Sequence, residues 1–320
     1  MRRIIVAVTT VLLAAFAAHA QNYPTKPVRL VVPFAPGGSS EIIARSFAHE
    51  LSRNLGQQFI VENKPGGAGN VAMVDVAHAT PDGYTLILGH VGTLAMNPAM
   101  MAKIPYDANN DFVAVSLLAV VPNIFVVNAG LPVRNLKEFI ALAASKPGQV
   151  YYGSAGNGSA GHLAFEYLKL VTKMELVHVP YKGTGPMLTD LISGQTQATS
   201  AGTPPLMPHI KSGKLRAFSV GTPQRLAALP DVPTVAEQGY PGFETSQWYG
   251  INAPAKTSDA IVRKLAAEMA KSAKSPDLLA RFQDDGTLAI GSAPAEFADF
   301  IRKEQARWGD VVRRSGVKAE

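Results

Sequence analysis

The most informative segment of the chain reads Val28-Arg-Leu-Val-Val-Pro-Phe-Ala-Pro-Gly-Gly-Ser-Ser-Glu-Ile-Ile-Ala-Arg45. It opens with an apolar run through Phe34, which is typical of a strand buried on both faces. Residues 36–38 then form a glycine turn, and Ser39 and Ser40 offer side-chain oxygens where a helix begins. Such a turn gathers free backbone N–H groups that attract anions. Because a single turn of this kind also occurs without any ligand, the interpretation depends on its recurrence.

The arrangement does recur, at Ser154-Ala-Gly-Asn-Gly-Ser-Ala-Gly-His162, between a predicted strand and a predicted helix. Before it, the chain alternates strand and helix over residues 28–34, 40–54, 59–62, 71–79 and 84–89. This βαβαβ order predicts a parallel sheet with helices on both faces. Ligands of such sheets lie beyond the carboxyl ends of the strands, where the glycine-rich loops are found.

Two apolar segments connect the halves of the chain. Residues 113–121 and 124–128 are apolar runs broken by Pro122-Asn123, which indicates a strand that leaves one sheet and enters another. Residues 248–254 form a second apolar crossing. The predicted fold class is therefore α/β with two lobes and two interlobe crossings, and two lobes joined in this way can hinge.

Composition excludes several classes of protein. The chain has 320 residues, of which 47% are hydrophobic and 17% charged, so it is globular rather than disordered. Its net charge is +6, but the basic residues are scattered, so we expect no nucleic-acid partner. With 0 cysteines, disulfides and thiolate metal sites are excluded.

The N-terminus has the pattern of a targeting segment. Arg2 and Arg3 precede an apolar stretch, 4–18, and Ala18-His19-Ala20 is a small-residue cleavage site. An uncleaved anchor is the alternative, and the short apolar stretch argues against it. We predict that residues 1–20 are a cleaved signal peptide and that the mature protein is periplasmic.

Four loops at predicted strand ends, 34–40, 89–93, 154–162 and 200–203, contain no lysine or arginine. A site lined by amides and hydroxyls favours a small carboxylate over a polyphosphate, which usually recruits lysine or arginine as well. The predicted ligand-binding residues lie in these loops and after one further strand: Phe34, Ala35, Gly37, Gly38, Ser39, Ser40, His90, Val91, Gly92, Thr93, Ser154, Ala155, Gly156, Asn157, Gly158, Ser159, His162, Tyr181, Lys182, Ser200, Ala201, Gly202 and Thr203. For His90 and His162, local hydrogen bonding is the alternative to a cleft position.

Short motifs along the whole mature chain resemble those of the substrate-binding receptors of tripartite tricarboxylate transporters, the Bug-type periplasmic receptors. They are Tyr23-Pro-Thr-Lys-Pro-Val-Arg-Leu-Val-Val-Pro-Phe34, Pro36-Gly-Gly-Ser39, Val61-Glu-Asn-Lys-Pro-Gly-Gly67, Pro81-Asp-Gly-Tyr-Thr85, Ser154-Ala-Gly-Asn-Gly158, His178-Val-Pro-Tyr-Lys-Gly183 and Leu229-Pro-Asp-Val-Pro-Thr234. The resemblance implies a type II periplasmic binding protein fold and a carboxylate enclosed between lobes. It also implies delivery to integral-membrane transporter subunits, without catalysis.

Further expectations go with this resemblance. The predicted lobe 1 comprises residues 21–122 and 249–320, and lobe 2 comprises 123–248. We expect a monomer without a cofactor or a metal. Members commonly carry Asp where this chain has Glu41, and many carry Phe-Asp-Asn where it has Ser200-Ala-Gly202. The second departure removes a partner for a ligand ammonium, so a mono- or dicarboxylate is expected rather than an amino acid.

Rival functions are weaker matches. Residues 156–161 fit the dinucleotide fingerprint G-x-G-x-x-G, but the next strand ends in Val179-Pro-Tyr-Lys182 without the acidic residue that this site needs. The serines near residues 154 and 159 lack the first glycine of a hydrolase nucleophile elbow. An exported nucleotide-binding α/β enzyme and a ligand-presenting signalling receptor for a sensor protein remain as alternatives.

Overall fold

The computed structural model describes residues 23–101 and 103–315. The strands are β1 (Val28–Val32), β2 (Phe59–Asn63), β3 (Thr85–His90), β4 (Phe112–Asn128), β5 (Tyr151–Ser154), β6 (Val177–Pro180), β7 (Ala198–Gly202), β8 (Leu215–Val220), β9 (Ser246–Pro254) and β10 (Leu288–Ala289). The helices are α1 (Ser39–Leu55), α2 (Asn70–Ala77), α3 (Asn97–Met100), α4 (Leu136–Ser145), α5 (Ala160–Thr172), α6 (Thr184–Ser193), α7 (Thr203–Lys211), α8 (Asp259–Ser272), α9 (Pro276–Gln283) and α10 (Pro294–Ser315), with helical turns at Gly67–Gly69 and Gly92–Met96.

The first sheet has the order β2-β1-β3-β9-β4, with β10 also paired to β4. Its first three strands are parallel, as predicted, and Leu30 lies opposite Val61 and Leu86. The sheet as a whole is mixed, because β9 runs antiparallel to both β3 and β4. The parallel arrangement predicted for the βαβαβ segment is therefore present, and β9 extends it into a mixed sheet. Strand β9, from a later part of the chain, lies between β3 and β4. Local sequence patterns do not reveal this placement.

The second sheet shares strand β4 with the first. β4 pairs with β9 up to Pro122, and from Asn123 onward it pairs with β7 and β8. Strands β5 and β6 then extend this sheet in parallel. The predicted strand that leaves one sheet and enters another is thus one continuous element, and its switch lies at Pro122-Asn123.

We call the first sheet with its helices lobe 1 and the second sheet with its helices lobe 2. The exact boundaries at residues 122 and 248 stay a prediction.

Each sheet is buried on both faces, which explains the apolar runs in the sequence. In β1, Leu30 packs with Phe47 of α1 on one face, whereas the adjacent Val31 packs with Met73 of α2 on the other. Strand β4 repeats this alternation in lobe 2, where successive residues enter separate apolar clusters. Because successive strand residues point to opposite faces, a strand between two helical layers must be apolar throughout.

Within the described part of the chain, no helix combines the length and the apolar character that a membrane crossing requires. The predicted signal peptide, residues 1–20, lies outside the described residues.

Candidate functional site

Two cavities lie between the lobes. The inner cavity has a volume of about 30 Å³ and is lined by Phe34, Ser39, Ser40, His90, Ala155, Ser159, Ala160, Gly161, Thr184, Ser200, Ala201, Gln247 and Tyr249. The outer cavity has a volume of about 610 Å³ and is lined by Pro33, Phe34, Gly66, Gly67, Ala68, Gly69, Asn70, Met101, Lys103, Ala155, Gly156, Asn157, Pro180, Tyr181 and Lys182. The two cavities share Phe34 and Ala155 as lining residues, so they lie next to each other.

The lobes are in direct contact around the inner cavity. The backbone N–H of Ala35 in lobe 1 donates to the carbonyl oxygen of Lys182 in lobe 2, at 3.2 Å. At the same contact between the lobes, a Cβ atom on Gly38 would lie 3.0 Å from the Oγ1 of Thr184. Glycine is therefore what allows the two backbones to approach this closely. The structure is a closed form, in which both lobes line one small cavity.

The first residues of helices from both lobes line the inner cavity. Helix α1 starts at Ser39 and α6 at Thr184, and both follow a glycine that provides no side-chain cap. Ser39 and Ser40 are thus first-turn residues, and Gly38 is the N-cap. Helix α5 of lobe 2 follows Ser159, whose Oγ accepts the N–H of His162. The first N–H groups of a helix lack intrahelical partners and carry a partial positive charge, so several of them together make an anion site.

His90 lines the inner cavity, and its local hydrogen bonds leave one ring nitrogen free. Its Nδ1 accepts the backbone N–H groups of Gly92 at 2.5 Å and Thr93 at 3.2 Å. Burial lowers the pKa of His90 to about 4, so the ring is neutral at pH 7. With Nδ1 acting as acceptor, we assign the proton to Nε2. The ring stacks on Phe34 at a centroid distance of 4.5 Å, which fixes its orientation.

Hydroxyl groups complete the inner cavity. The Oγ of Ser200 is buried and has no hydrogen-bond partner among the described residues. Tyr249 donates its hydroxyl proton to the Oε1 of Gln247, and Gln247 in turn donates to the side chain of Asn123 at 2.7 Å. A buried hydroxyl without a partner is costly, so Ser200 is a group that a bound ligand would satisfy.

The stacked rings of His162 and His178 support the glycine-rich loop 154–162. The Oγ of Ser154 contacts the Nε2 of His178 at 2.7 Å and also accepts the N–H of Gly156 at 3.1 Å. The rings of His178 and His162 stack at 4.1 Å, and His162 Nδ1 accepts the N–H of Gly158 at 3.2 Å. Burial lowers the pKa of His162 to about 4 and that of His178 to about 3. His162 therefore holds the loop through local hydrogen bonding and does not line either cavity.

The structure sorts the sequence-predicted residues into three groups. Those that line the inner cavity are Phe34, Ser39, Ser40, His90, Ala155, Ser159, Ser200 and Ala201. Those that line only the outer cavity are Gly156, Asn157, Tyr181 and Lys182. Those that line neither are Ala35, Gly37, Gly38, Val91, Gly92, Thr93, Ser154, Gly158, His162, Gly202 and Thr203.

Residues of the third group lie at the contact between the lobes, support the loops or belong to the core. Val91, for example, is fully buried in the core of lobe 1.

Several lining residues were not predicted. Gln247 and Tyr249 alternate along β9 with Trp248, which is buried in the core and donates its Nε1–H to Glu304 at 2.9 Å. Successive residues of a strand face opposite sides, so this alternation could have predicted that Gln247 and Tyr249 face the cavity and that Trp248 faces away from it. The glycine turn 66–70 was also visible in the sequence at the end of a strand. Thr184 could not be predicted, because only the approach of the lobes brings it to the site.

Among the residues that the structure describes, no aspartate or glutamate lines either cavity. Within residues 23–101 and 103–315, no three histidine, aspartate or glutamate side chains gather as they would around a metal ion. The inner cavity thus consists of N–H dipoles, hydroxyls, one neutral imidazole and an aromatic face. This is an environment for a small anion with an apolar body.

Comparison with known proteins agrees with this geometry. The family described as "Tripartite tricarboxylate transporter family receptor" matches residues 43–317. The structure of the periplasmic binding protein BugD is 31% identical with a TM-score of 0.90, covering 93% of this chain and 100% of that chain. The predicted two-lobe α/β fold is thereby confirmed.

Two further similar structures contain ligands. Rpa4515 of R. palustris, solved with adipate, is 36% identical with a TM-score of 0.90, covering 92% of this chain and 99% of that chain. MatC from Rhodopseudomonas palustris, with bound malate, is 35% identical with a TM-score of 0.87, covering 91% of this chain and 100% of that chain.

Proposed function

The chain belongs to the tripartite tricarboxylate transporter receptor family, and we propose that it captures a small carboxylate between its lobes for delivery to a transporter of that kind. Members of this family are solute receptors, and the chain is one of them rather than an enzyme. The family is one of periplasmic binding proteins. Export of this chain through a cleaved signal peptide is part of the proposal, and N-terminal sequencing of the mature protein should begin at Gln21.

One observation carries the proposal: helix N-termini of both lobes line an inner cavity to which no described residue contributes an acidic side chain. The volume of about 30 Å³ is room for about two water molecules, or for one carboxylate group. We assign the carboxylate to the N–H groups of Ser39, Ser40 and Thr184, the Nε2–H of His90 and the hydroxyl of Ser200. These donors need no counter-ion of their own, because the helix dipoles supply the positive charge.

The strength of such a site depends on closure. A helix-end contact contributes about 0.3–1 kcal/mol, and up to ~2 kcal/mol when it is partly buried. Micromolar binding requires about 8 kcal/mol, so several contacts must act together. Neither lobe alone supplies them, since Ser39 and His90 belong to lobe 1 and Ser200 and Thr184 to lobe 2. Ligand therefore favours the closed form by the contacts that the open form lacks.

The ligand class follows from what the site lacks. An amino acid would bring an ammonium group, but no carboxylate lines either cavity to bind it. The relatives with bound adipate and malate hold dicarboxylates without an ammonium group. We therefore propose a mono- or dicarboxylate, in preference to aspartate or glutamate.

A thermal-shift screen of the purified protein tests this function. The panel holds monocarboxylates, dicarboxylates, aspartate and glutamate, and each carboxylate is matched by its neutral amide. Ligand at 100 times its Kd stabilises the folded state by about 2.7 kcal/mol, so a true ligand raises the melting temperature and its amide does not. A panel in which no carboxylate raises it, or in which aspartate or glutamate binds most tightly by calorimetry, contradicts the proposal.

Delivery to a transporter and presentation to a sensor protein differ in the membrane partner. Capture of detergent-solubilised membrane proteins on the ligand-loaded receptor distinguishes them, because transport requires integral-membrane transporter subunits. Size-exclusion chromatography with light scattering tests the expected monomer.

A further inference from the structure

The outer cavity carries positive charge that the inner cavity does not. Lys103 of lobe 1 and Lys182 of lobe 2 both line it, and no described acidic residue shares its lining. Neither ammonium group has an ion pair or hydrogen bond with any residue in the described part of the chain. The nearby Lys64 differs, because its Nζ pairs with Asp75 at 3.0 Å. The two unpaired lysines are therefore the charges that a ligand in the outer cavity would encounter.

The inner cavity is too small for a whole metabolite. Its volume of about 30 Å³ accommodates one carboxylate group, whereas the outer cavity, at about 610 Å³, lies in the range of small-molecule sites. Because Phe34 and Ala155 line both, a molecule anchored by one carboxylate in the inner cavity extends past them into the outer one. Phe34, Ala155 and Met101 give this path apolar walls that suit methylene groups.

Resting on the proposed function, we propose that the preferred ligand is an extended dicarboxylate whose second carboxylate is bound by Lys103 and Lys182. These two lysines are then specificity-determining residues that distinguish a dicarboxylate from a monocarboxylate of the same chain length. Because one lysine comes from each lobe, the second carboxylate bridges the lobes across the mouth of the cleft. Asn70 and Asn157, which also line the outer cavity, offer amide donors beside them.

The test compares dicarboxylates and monocarboxylates of equal length. Calorimetry on the full mature protein uses the unbranched series from succinate to suberate and the corresponding series of monocarboxylates. The variants are Lys103→Met and Lys182→Met, singly and together, because methionine keeps the apolar stem and removes the charge. Lys137→Met is the matched control, since Lys137 is an exposed lysine of α4 that lines neither cavity.

We expect the unmodified protein to bind its best dicarboxylate more tightly than the matched monocarboxylate. Each lysine substitution should weaken the dicarboxylate about fivefold, the equivalent of ~1 kcal/mol for an exposed ion pair, and leave the monocarboxylate unchanged. The dicarboxylate preference should also decrease as salt increases, because exposed charges are screened. Lys137→Met should bind both classes as the unmodified protein does.

Two results overturn the inference. One is equal affinity for dicarboxylate and monocarboxylate in the unmodified protein. The other is a double variant, with an unchanged melting temperature without ligand, that keeps the full dicarboxylate preference. Both leave the proposed function intact, because a carboxylate still binds. A protein that binds neither series overturns the proposed function together with this inference, so the two failures are distinguishable.

Discussion

Substitution of Gly185 by alanine separates closure of the lobes from folding. Gly185 is the second residue of α6, and its φ lies outside the left-handed region, so alanine suits its backbone. A Cβ atom there would lie 2.6 Å from the carbonyl oxygen of Pro36, in the opposite lobe. The three nearest heavy atoms all belong to Pro36 and Gly37 of lobe 1. The clash is therefore with backbone that cannot rotate away, and it exists only in the closed form.

The expected size of the effect follows from these contacts. Overpacking by one methyl group costs about 1–3 kcal/mol when the neighbours cannot move. Because the open form has no such clash, this cost appears as a loss of ligand affinity of about 5- to 150-fold. Within helix α6 itself, alanine is favoured over glycine by up to about 1 kcal/mol. The Gly185→Ala variant should thus unfold at an unchanged or higher temperature while binding its ligand much less tightly.

Calorimetry and solution scattering measure the two effects. Calorimetry with the best carboxylate of the screen yields the affinity, and scattering with and without ligand yields the change in radius of gyration. Gly309→Ala is the matched control, because Gly309 is a helical glycine of α10 whose nearest neighbour would be the Nη1 of Arg313 at 3.5 Å. If the Gly185→Ala protein binds and contracts like the unmodified one, ligand binding does not require the lobes to approach as closely as Gly185 and Pro36 do in this structure. A large drop in its melting temperature would instead show that opening of the lobes does not relieve the clash.

Two further predictions concern the buried groups of the site. In the folded state the pKa values of His90 and His162 are lowered to about 4 and that of His178 to about 3, whereas the pKa of histidine in the unfolded chain is near 6.5. The unfolded chain therefore takes up protons first as the pH falls, so the free energy of unfolding is highest above pH ~6.5 and decreases below it. Urea unfolding should show a loss of about 2 kcal/mol from His90 alone at pH ~5, and an unchanged midpoint would contradict this. Ser200→Ala should weaken carboxylate binding about tenfold by calorimetry without lowering the melting temperature, since it removes a buried unpaired hydroxyl. Thr203→Val, at a buried unpaired hydroxyl outside both cavities, should leave binding unchanged.

Local sequence patterns predict the parts of the site that lie within one strand-turn-helix segment. The turn before Ser39 and the turn before Ala160 each follow an apolar strand and open a helix, so their position at a sheet edge follows from chain order alone. His90 is similar, because it ends β3 at the same edge of the sheet. In these cases the strand, the turn and the helix are neighbours in sequence, and the physical rules that connect them act over a few residues.

The sequence does not reveal features that depend on the approach of distant segments. Thr184 enters the inner cavity only because α6 contacts the loop at Gly38. The predicted loop 200–203 is instead the end of β7 and the first residue of α7, and Pro204 and Pro205 are tolerated in the first turn of that helix. Lys103 follows a short helix and has no pattern of its own, so its place in the outer cavity depends on the tertiary fold.

The distribution of charge between the two cavities bears on how a ligand closes the cleft. A carboxylate in the inner cavity meets neutral donors, so binding there requires no cation to be desolvated in the interior. Lys103 and Lys182 line the outer cavity, one from each lobe, so closure of the lobes brings two like charges towards the same cavity. A second carboxylate between them replaces this repulsion by two attractions that exist only when the lobes approach. A dicarboxylate should therefore shift the equilibrium towards the closed form further than a monocarboxylate of equal length, because the size of such a shift is set by the difference in affinity for the two forms.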